Sequence, residues 1–479
     1  MRLRFQTAML ATVLTVSTAF AQQPPALDAK DRELAHDIFK QLIEINTTDS
    51  VGNVTTAAKA MQQRLLDAGF SADDLFVGGP NDRKGNLVAR YRGTAESKLK
   101  PVLLICHLDV VEARREDWTT DPFEFVEKDG YYYGRGTQDI KEDDADLVTN
   151  FIRLKREGYV PDRDIIIALT SDEEGGKANG VDWLLKNHRE LIDADFVLNP
   201  DAGGATSEKG KVIDFEVEAT EKLYADYQVS AKNPGGHSSV PRADNAIYQV
   251  TDALSRLEKS PFPFELNPVT RTYFAKMASI EHGQTSLDMR AILKSPPDAA
   301  AIARLSKDPR YNSTMRTTCV ATMLKAGHAP NALPQSAEAN VNCRILPGHS
   351  QEEVRQKLIG IFHDDRLTVR YVDDSGVSYA AGSDRKAMTP PPPRADVFDP
   401  LSKVVAELWP GVPVVPVLST GASDSIYTMQ AGIPSYGISG MAIDADDDRA
   451  HGKDERIRVE AFYTGVEFYY LYLKALTTK

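Results

Sequence analysis

The sequence has few cysteines and no excess of basic residues. Only three of its 479 residues are cysteine, which excludes a disulfide-stapled scaffold in a chain of this size. Asp and Glu number 69 against 56 Lys and Arg, for a formal net charge of −13, and no basic stripe interrupts this excess. Such a chain is repelled by nucleic acids and by acidic membranes, so we expect neither as a partner.

Long apolar runs and two common catalytic signatures are also missing. Past the N-terminal segment, no apolar run is long enough to cross a bilayer. The sequence has no Gly-x-Ser-x-Gly elbow, and Gly134 and Gly136 lack the third glycine of a dinucleotide fingerprint. A serine hydrolase and a Rossmann dehydrogenase are therefore unsupported.

Residues 1–21 have the pattern of a cleaved signal peptide. Arg2 and Arg4 give a basic start, the stretch 8–16 is mainly apolar, and a small-residue cleavage motif ends at Ala21. We therefore expect an exported protein, in a periplasm rather than the medium, with no membrane association after cleavage.

The three cysteines have different surroundings. Cys106 ends an apolar run and is most simply a buried core thiol. Cys319 and Cys343 lie on either side of a predicted hairpin centred near Asn331, so they could pair in an oxidising compartment. Strand register cannot be read from the sequence, so this pairing stays open.

Helices and strands alternate in the first half of the chain. Apolar strands are predicted at 86–91, 102–106, 165–170 and 195–199. Amphipathic helices are predicted at 31–45, 54–68, 143–157 and 181–188. This alternation predicts an α/β fold with a largely parallel sheet covered by helices.

The middle of the chain follows a β-α-β-β-α-β order, which is the ferredoxin-like plan. Its elements are predicted at 223–231, 244–257, 317–325, 336–346, 350–362 and 367–372. Between the first helix and the second strand lies a long, proline-rich stretch that we interpret as irregular. A stiff proline run at 390–393 follows, and an apolar strand at 413–418 resumes the first domain. We predict a signal peptide at 1–21 and a catalytic domain in two parts, at 22–222 and 379–479. The inserted domain is predicted at 223–378.

Candidate metal ligands follow four of the apolar strands. Parallel strands place their carboxyl ends at one edge of a sheet, so these side chains are expected to converge. A fifth candidate starts a helix after a glycine-rich turn. The segments carry His107, Asp139, Glu173 with Glu174, Asp201, and His451. A single acidic turn or histidine is usually structural, but five such segments at one edge favour a metal site.

The residue types indicate which metal and which chemistry. Imidazole and carboxylate ligands suit Zn²⁺, with Co²⁺ or Mn²⁺ as substitutes, and the absence of cysteine pairs argues against a closed structural zinc site. A bridging carboxylate holds two metals roughly 3.5–4 Å apart. A free glutamate can then take a proton from water, whose pKa such sites lower from about 15.7 to about 7.

Five motifs together resemble those of the co-catalytic zinc exopeptidases, which include aminoacylases, bacterial glutamate carboxypeptidases, carnosinases and Gly-Xaa carboxypeptidases. The resemblance covers nearly the whole mature chain, in order. It implies a catalytic domain with a mixed, largely parallel sheet and an inserted ferredoxin-like α+β lid domain. The motifs begin at His107, Gly134, Asp172, Gly235 and His451.

The resemblance also implies a division of labour among the metal ligands. His107 and Asp201 would hold one zinc ion, and Glu174 and His451 the other, with Asp139 bridging the two.

The remaining implied roles concern catalysis and substrate. Glu173 would be the general base, and Asp109 would accept the distal ring proton of His107. His237, on the inserted domain, would stabilise the oxyanion, often from the partner subunit of a homodimer formed through the lid. Substrate would be held by Arg344, Asn331 and Gly421.

These roles predict hydrolysis of an amide next to a free carboxylate, in a dipeptide or at the C-terminal residue of a short peptide. The alternatives are an N-acyl-amino-acid deacylase and a non-catalytic peptide-binding relative.

The sequence also departs from the family pattern. Glu142, Asp143 and Asp144 stand where relatives commonly have glycine, which could disfavour acidic substrates, and Asp201 stands where many have glutamate. The excess length near 262–315 puts the lid-mediated dimer in doubt.

Overall fold

The computed structural model describes residues 27–175, 177–373, 375–382 and 393–478. The predicted signal peptide and residues 390–392 of the proline run lie outside these ranges. Within them, no helix is long and apolar enough to cross a membrane.

The first part of the chain alternates helices and strands, as predicted. Its strands are β1 Leu75–Gly78, β2 Asn86–Tyr91, β3 Val102–His107, β4 Val126–Lys128, β5 Tyr131–Tyr133, β6 Ile165–Thr170, β7 Phe196–Asn199, β8 Gly204–Glu208 and β9 Lys211–Glu221. Its helices are α1 Ala29–Glu44, α2 Val54–Asp67, α3 Lys141–Glu157, α4 Gly180–Asn187 and α5 Arg189–Ile192, with short 3₁₀ turns at Ala72–Asp74 and Arg115–Asp117.

The middle and last parts complete the chain. The middle contains β10 Leu223–Lys232, β11 Gly236–His237, α6 Ala246–Lys259, α7 Pro268–Ile280, α8 Gly283–Ile292, α9 Ala299–Leu305, α10 Pro309–Thr314, β12 Thr318–Ala326, β13 Ala332–Leu333, β14 Ser336–Ile345, α11 Gln351–Phe362, β15 Thr368–Val372 and β16 Ser378–Tyr379. The last part contains α12 Ala395–Leu408, β17 Val414–Ser419, α13 Ser425–Gln430, β18 Ser435–Gly437, β19 Ala442–Asp444, β20 Arg456–Arg458 and α14 Val459–Thr477.

The largest sheet is mixed and has ten strands in the order β1-β2-β6-β3-β7-β18-β9-β8-β19, with β17 paired to β9. Its centre is parallel: β3 pairs with β6 and β7, and β7 pairs with β18. Every residue of β3 and β6 is buried, which explains why both read as continuous apolar runs. The predicted α/β class is confirmed. β4, β5 and β20 form a separate small sheet.

A second, antiparallel sheet has the order β12-β14-β10-β15-β16. Numbered along the chain, the four strands β10, β12, β14 and β15 have the 4-1-3-2 order of a ferredoxin-like sheet when the sheet is read from β15 to β12. Helices α6 and α11 pack on it around a core that includes Tyr227, Val341 and Leu358. We call this unit the lid. Cys319 and Cys343 face each other across β12 and β14 and form a disulfide, so the pairing left open above is present.

The proline-rich stretch before β12 is not irregular, and that interpretation was wrong. It contains the four helices α7 to α10, with their own core around Phe274 and Met289. Pro268 and Pro309 occupy the first turns of α7 and α10, where a missing N–H costs nothing. Helix α7 packs on β17, and the Lys276 ammonium donates to the Val414 carbonyl at 2.6 Å.

Candidate active site

The carboxyl ends of β3, β6 and β7 lie at one edge of the large sheet. His107, the last residue of β3, is in register with Thr170, the last residue of β6. The acidic turn that carries Glu173 follows β6 directly, and Asp201 follows β7 by two residues. The parallel pairing of three strands therefore brings these segments together, as their positions in the sequence predicted.

Five side chains from these and two further segments form the metal-binding cluster. His107 Nε2 lies 3.1 Å from Asp139 Oδ1 and 3.6 Å from Asp201 Oδ1. His451 Nε2 lies 2.9 Å from Asp139 Oδ2 and 2.9 Å from Glu174 Oε1. The cluster therefore has two halves, each with one histidine and one carboxylate of its own, and Asp139 contributes one oxygen to each half.

The donor set of the cluster fits metal coordination. His107 Nε2 is buried and makes no hydrogen bond of good geometry, despite the carboxylates beside it. Two groups of donor atoms lie within 4.8 Å of one another: one joins His107, Asp139 and Glu174, and the other joins His107, Glu173 and Asp201. A nitrogen without a hydrogen bond among several carboxylate oxygens is suited to metal coordination.

The electrostatics of the cluster also call for positive charge. Burial opposes ionisation of His107, yet its close contacts with Asp139 and Asp201 hold its pKa well above the usual value. The same kind of contact, with Asp139 and then Glu174, raises the pKa of His451 to about 10. Burial raises the pKa of Asp201 to about 6 against the pull of His107. Carboxylates thus outnumber the cations that the protein itself supplies.

Asp109 acts differently from the role predicted for its side chain. His107 Nδ1 is 2.9 Å from the backbone carbonyl of Asp109, whereas the Asp109 carboxylate is 3.9 Å away. That carboxylate accepts hydrogen bonds from the backbone N–H groups of Glu173 and Glu174, at 3.2 and 3.1 Å. The backbone of Asp109 therefore orients the imidazole, and its side chain holds the acidic turn.

The acidic turn begins at a residue in the left-handed region. Asp172 has a φ of +64°, a conformation that Asp tolerates better than most residues. Its carboxylate binds the Lys84 ammonium at 2.6 Å and the Ala178 N–H at 2.5 Å. These contacts fix the direction in which Glu173 and Glu174 leave the strand.

Glu455 is an important residue whose role was not predicted. It is fully buried, and its Oε1 accepts the N–H groups of Gly136 and Gln138 at 3.1 and 2.7 Å. Its Oε2 forms an ion pair with Arg135. Glu455 therefore joins the loop that presents Asp139 to the loop that presents the second histidine. Glu455 lies four residues after His451, in the motif that begins there, and this position could have indicated its role.

Asp424 was also missed, although it lies only three residues after Gly421, a predicted substrate residue. It is buried, and it accepts hydrogen bonds from Asn179 at 2.5 Å and Thr170 at 3.2 Å. Burial raises its pKa to about 7. Asp424 therefore supports the end of β6 through the Thr170 hydroxyl.

The contacts given for the predicted lid residues are to other residues of the middle part of the chain. His237 is exposed at the end of β11, where its Nδ1 accepts from the Ser239 N–H at 3.2 Å. The Asn331 carbonyl accepts the N–H of the neighbouring Ser238 at 3.1 Å. Arg344 stacks on the Tyr224 ring, with its guanidinium carbon 4.7 Å from the ring centroid.

The last predicted substrate residue, Gly421, is exposed in the loop after β17. Its N–H donates to the Ser419 hydroxyl at 3.0 Å. Within the described ranges, no hydrogen bond or ion pair links Gly421 or the three lid residues to the cluster. The structure therefore brings the predicted metal ligands together and leaves the predicted substrate groups outside them.

With this geometry in place, comparison with known proteins identifies the family. The model of peptidase family M20/M25/M40 matches residues 103–475, which include all five side chains of the metal-binding cluster. The chain belongs to this family. It is a metal-dependent hydrolase with the α/β fold of M20 peptidases, and the resemblance drawn from the motifs is confirmed.

Individual M20 relatives carry names that record different activities. The chain is 30% identical over 393 residues to the human N-fatty-acyl-amino acid synthase/hydrolase PM20D1, covering 78% of this chain and 74% of that protein. It is 29% identical over 405 residues to the probable carboxypeptidase S-like 2 of Dictyostelium discoideum, covering 81% and 74%. The M20 metallo-carboxypeptidase Sso-CP2 of Sulfolobus solfataricus has the same fold, with a TM-score of 0.66 at 15% identity over 94% of this chain and 99% of that one.

Proposed function

We propose that this M20 enzyme is a two-zinc hydrolase that cleaves the amide bond of a dipeptide, or the one that joins the C-terminal residue to a short peptide. The observation that carries the proposal is the two-part cluster, in which His107 with Asp201 and His451 with Glu174 share Asp139. Zn²⁺ is the proposed metal, with Co²⁺ or Mn²⁺ as substitutes. When bound, the metals supply Lewis acidity and lower the pKa of water.

Glu173 is the proposed general base. It is half-buried, its N–H is held by the Asp109 carboxylate at 3.2 Å, and one of its oxygens lies in the donor group with His107 and Asp201. A carboxylate held at this position can take the proton of the attacking water and pass it to the departing amine. Glu174, the next residue, binds His451 instead, so the two adjacent acids have separate roles.

The lid is proposed to bind the substrate over the cluster. His237 would donate a hydrogen bond to the developing oxyanion, and Arg344, Asn331 and Gly421 would hold the substrate carboxylate and backbone. His237 is on β11, which pairs with β13, and Arg344 is on β14 of the lid sheet. We propose that the lid closes to bring both side chains to the metals.

A second candidate function is hydrolysis of N-acyl amino acids. The observation that favours it is the 30% identity to PM20D1, whose name records a synthase/hydrolase of N-fatty-acyl amino acids. Both substrate classes present an amide next to a free carboxylate, so the same cluster can serve either.

One assay separates the two candidates. The metal-reconstituted protein is incubated with matched dipeptides and N-acyl amino acids that share the same C-terminal residue. We expect measurable kcat/KM on at least one dipeptide, abolished by a chelator and restored by Zn²⁺ or Co²⁺. Hydrolysis of N-acyl amino acids alone would replace the peptidase assignment with the deacylase one. Failure on both would contradict both.

We also propose export with removal of residues 1–21. The support is the order of basic, apolar and small residues in that segment. N-terminal sequencing of the protein isolated from its cellular compartment should begin at Gln22, and an intact N-terminus in the cytoplasm would contradict export.

A further inference from the structure

A cavity of about 330 Å³ lies beside the metal-binding cluster, with Asp139 and Asp201 in its wall. Among the described residues, its lining contains no lysine, arginine or histidine. The acidic residues that line it are Asp139, Glu142, Asp143, Asp201, Glu216, Asp444 and Asp448.

Some of these acids already have partners. Asp139 and Asp201 belong to the cluster, and Asp444 forms an ion pair with Arg458. The Asp448 carboxylate accepts the Ala450 N–H at 3.2 Å. The three remaining acids of the lining are Glu142 and Asp143 on α3 and Glu216 on β9.

Glu142 and Asp143 are almost completely buried, at 2% and 1% exposure. Glu142 Oε2 and Asp143 Oδ1 have no hydrogen-bond partner among the described residues, although Asp143 Oδ2 accepts the Ser439 hydroxyl at 2.9 Å. The N-terminus of α3 supplies only partial positive charge and leaves both oxygens without a donor. A buried carboxylate without a donor is disfavoured as an anion, so it either holds a proton or is stabilised by a positive charge placed beside it.

Glu216 adds a third unneutralised acid from a different element, β9. It is half-buried, and within the described part of the chain no hydrogen bond or ion pair involves its carboxylate. Arg310, whose charge acts on Glu216 from a distance, is on α10 and does not line the cavity.

The volume and the lining of the cavity favour an organic cation over another metal ion. The donor groups close enough to hold a metal, among the described residues, are centred on His107 and include none of these three acids. The cavity is far larger than the roughly 10–15 Å³ that one water needs. Apolar side chains, including Ile140, Met441 and Ile443, also line it. An aliphatic stem with a charged head fits such a lining.

We propose that this cavity binds the protonated amino or guanidino side chain of the substrate, so that the enzyme prefers cationic substrates. The inference rests on the proposed function, because it takes the cleaved amide to lie at the neighbouring cluster. It goes beyond the expectation that acidic substrates are disfavoured, since it predicts attraction of one charge and names the groups responsible: Glu142, Asp143 and Glu216.

The test compares substrates that contain lysine with otherwise identical ones that contain norleucine, which has an aliphatic chain but no amine. Each residue is placed in turn on either side of the scissile amide. For the wild type we expect kcat/KM to be at least about tenfold higher for lysine in one of the two positions. Glu142→Gln, Asp143→Asn and Glu216→Gln should each reduce that ratio toward one, while norleucine hydrolysis stays within about threefold of wild type.

Asp146→Asn is the matched control. Asp146 is on the same helix, is fully buried and has an oxygen without a partner among the described residues, but it does not line the cavity. Its substitution should leave the lysine-to-norleucine ratio unchanged. If the two α3 variants fail to fold, the half-buried Glu216 still decides the question.

The outcomes separate this inference from the proposed function. Equal hydrolysis of lysine and norleucine substrates, or an unchanged ratio in Glu216→Gln, would overturn the cavity assignment and leave the hydrolase intact. Hydrolysis of neither substrate would contradict the hydrolase. In that case calorimetric titration of the zinc-loaded protein with the two peptides decides, and equal affinities would overturn the inference.

Discussion

The metal-binding cluster and the lid residues differ in how completely the fold assembles them. In the cluster, His107 and His451 each lie within about 3 Å of a different oxygen of Asp139. In the lid, His237 is exposed and its ring hydrogen-bonds to Ser239, two residues along the same loop. Three strand ends of the large sheet and two adjoining loops build the cluster, whereas His237 and Arg344 lie on strands of different sheets.

This difference indicates which property each region controls. Metal binding should depend on the large sheet, the small sheet of β4, β5 and β20, and the loops that join them, because these elements carry all five cluster residues. Under the proposed function, turnover should depend on both regions, because the lid residues are the ones proposed to bind the substrate and the oxyanion. The chain passes from β9 to β10 through Lys222, which is fully buried, so the two units are joined by an ordered connection.

Glu173→Gln should separate metal binding from chemistry within the cluster itself. We expect kcat to fall by about 10³-fold, because the amide cannot accept a proton, while zinc content stays near that of wild type. Metal analysis and steady-state kinetics check both. Glu190→Gln, at an exposed position of the same domain, is the control and should have no effect. Appreciable residual turnover would remove Glu173 from the role of base.

His237→Ala tests the lid side of the comparison. We expect kcat to fall by about 10²-fold through loss of an oxyanion donor, with no loss of zinc. The control is His282→Ala, an exposed histidine at the start of α8 whose side chain makes no capping bond. Loss of metal in the His237 variant would show that the two regions are not independent.

Glu455→Gln should weaken the cluster without removing a ligand. Its carboxylate joins the loops that carry Asp139 and His451, so a change to an amide disturbs their spacing. We expect zinc affinity to fall about 10- to 100-fold, as measured by competition with a chelator. Glu460→Gln, an exposed neighbour, should bind zinc as the wild type does. Unchanged affinity in the Glu455 variant would contradict this positioning role.

Lys222→Met concerns the connection between the regions and has the smallest expected effect on catalysis. Burial lowers the pKa of Lys222 to about 7 from 10.5, although its ammonium donates to the Arg316 carbonyl at 2.8 Å. Between about pH 7 and pH 10 the unfolded chain binds a proton that the folded chain does not, so this residue makes stability rise with pH.

The measurement is urea unfolding at pH 7 and at pH 10. Relative to Lys222→Met, the wild type should gain on the order of 1–3 kcal/mol in free energy of unfolding over that interval. Lys186→Met, at an exposed position, should show no such difference from wild type. If the free energies of unfolding of wild type and Lys222→Met differ by the same amount at pH 7 and pH 10, the assignment of a buried lysine at this connection is contradicted.

The fold was predictable where one local signal dominates. The strands 86–91 and 165–170 match β2 and β6 because apolar runs buried on both faces read without ambiguity. The stretch before β12 was misread because proline is a helix breaker in the interior but suits the first turn, and a sequence does not show which applies.

The sequence was enough to predict which residues form the metal-binding cluster, but not which atoms contact one another. Each ligand follows a recognisable strand or turn, so convergence could be inferred. The contact of His107 with the backbone of Asp109 depends on side-chain directions that the spacing does not encode. The disulfide depended on the register of β12 against β14, which includes a shift between Ala321 and Met323.

The most direct test of the central claim is anomalous diffraction from crystals of the zinc-loaded protein. The claim is that Asp139 divides one cluster into two metal positions. It predicts two zinc peaks roughly 3.5–4 Å apart, one between His107 and Asp201 and the other between Glu174 and His451. A single peak, or a second zinc that is not bound by Asp139, would contradict it.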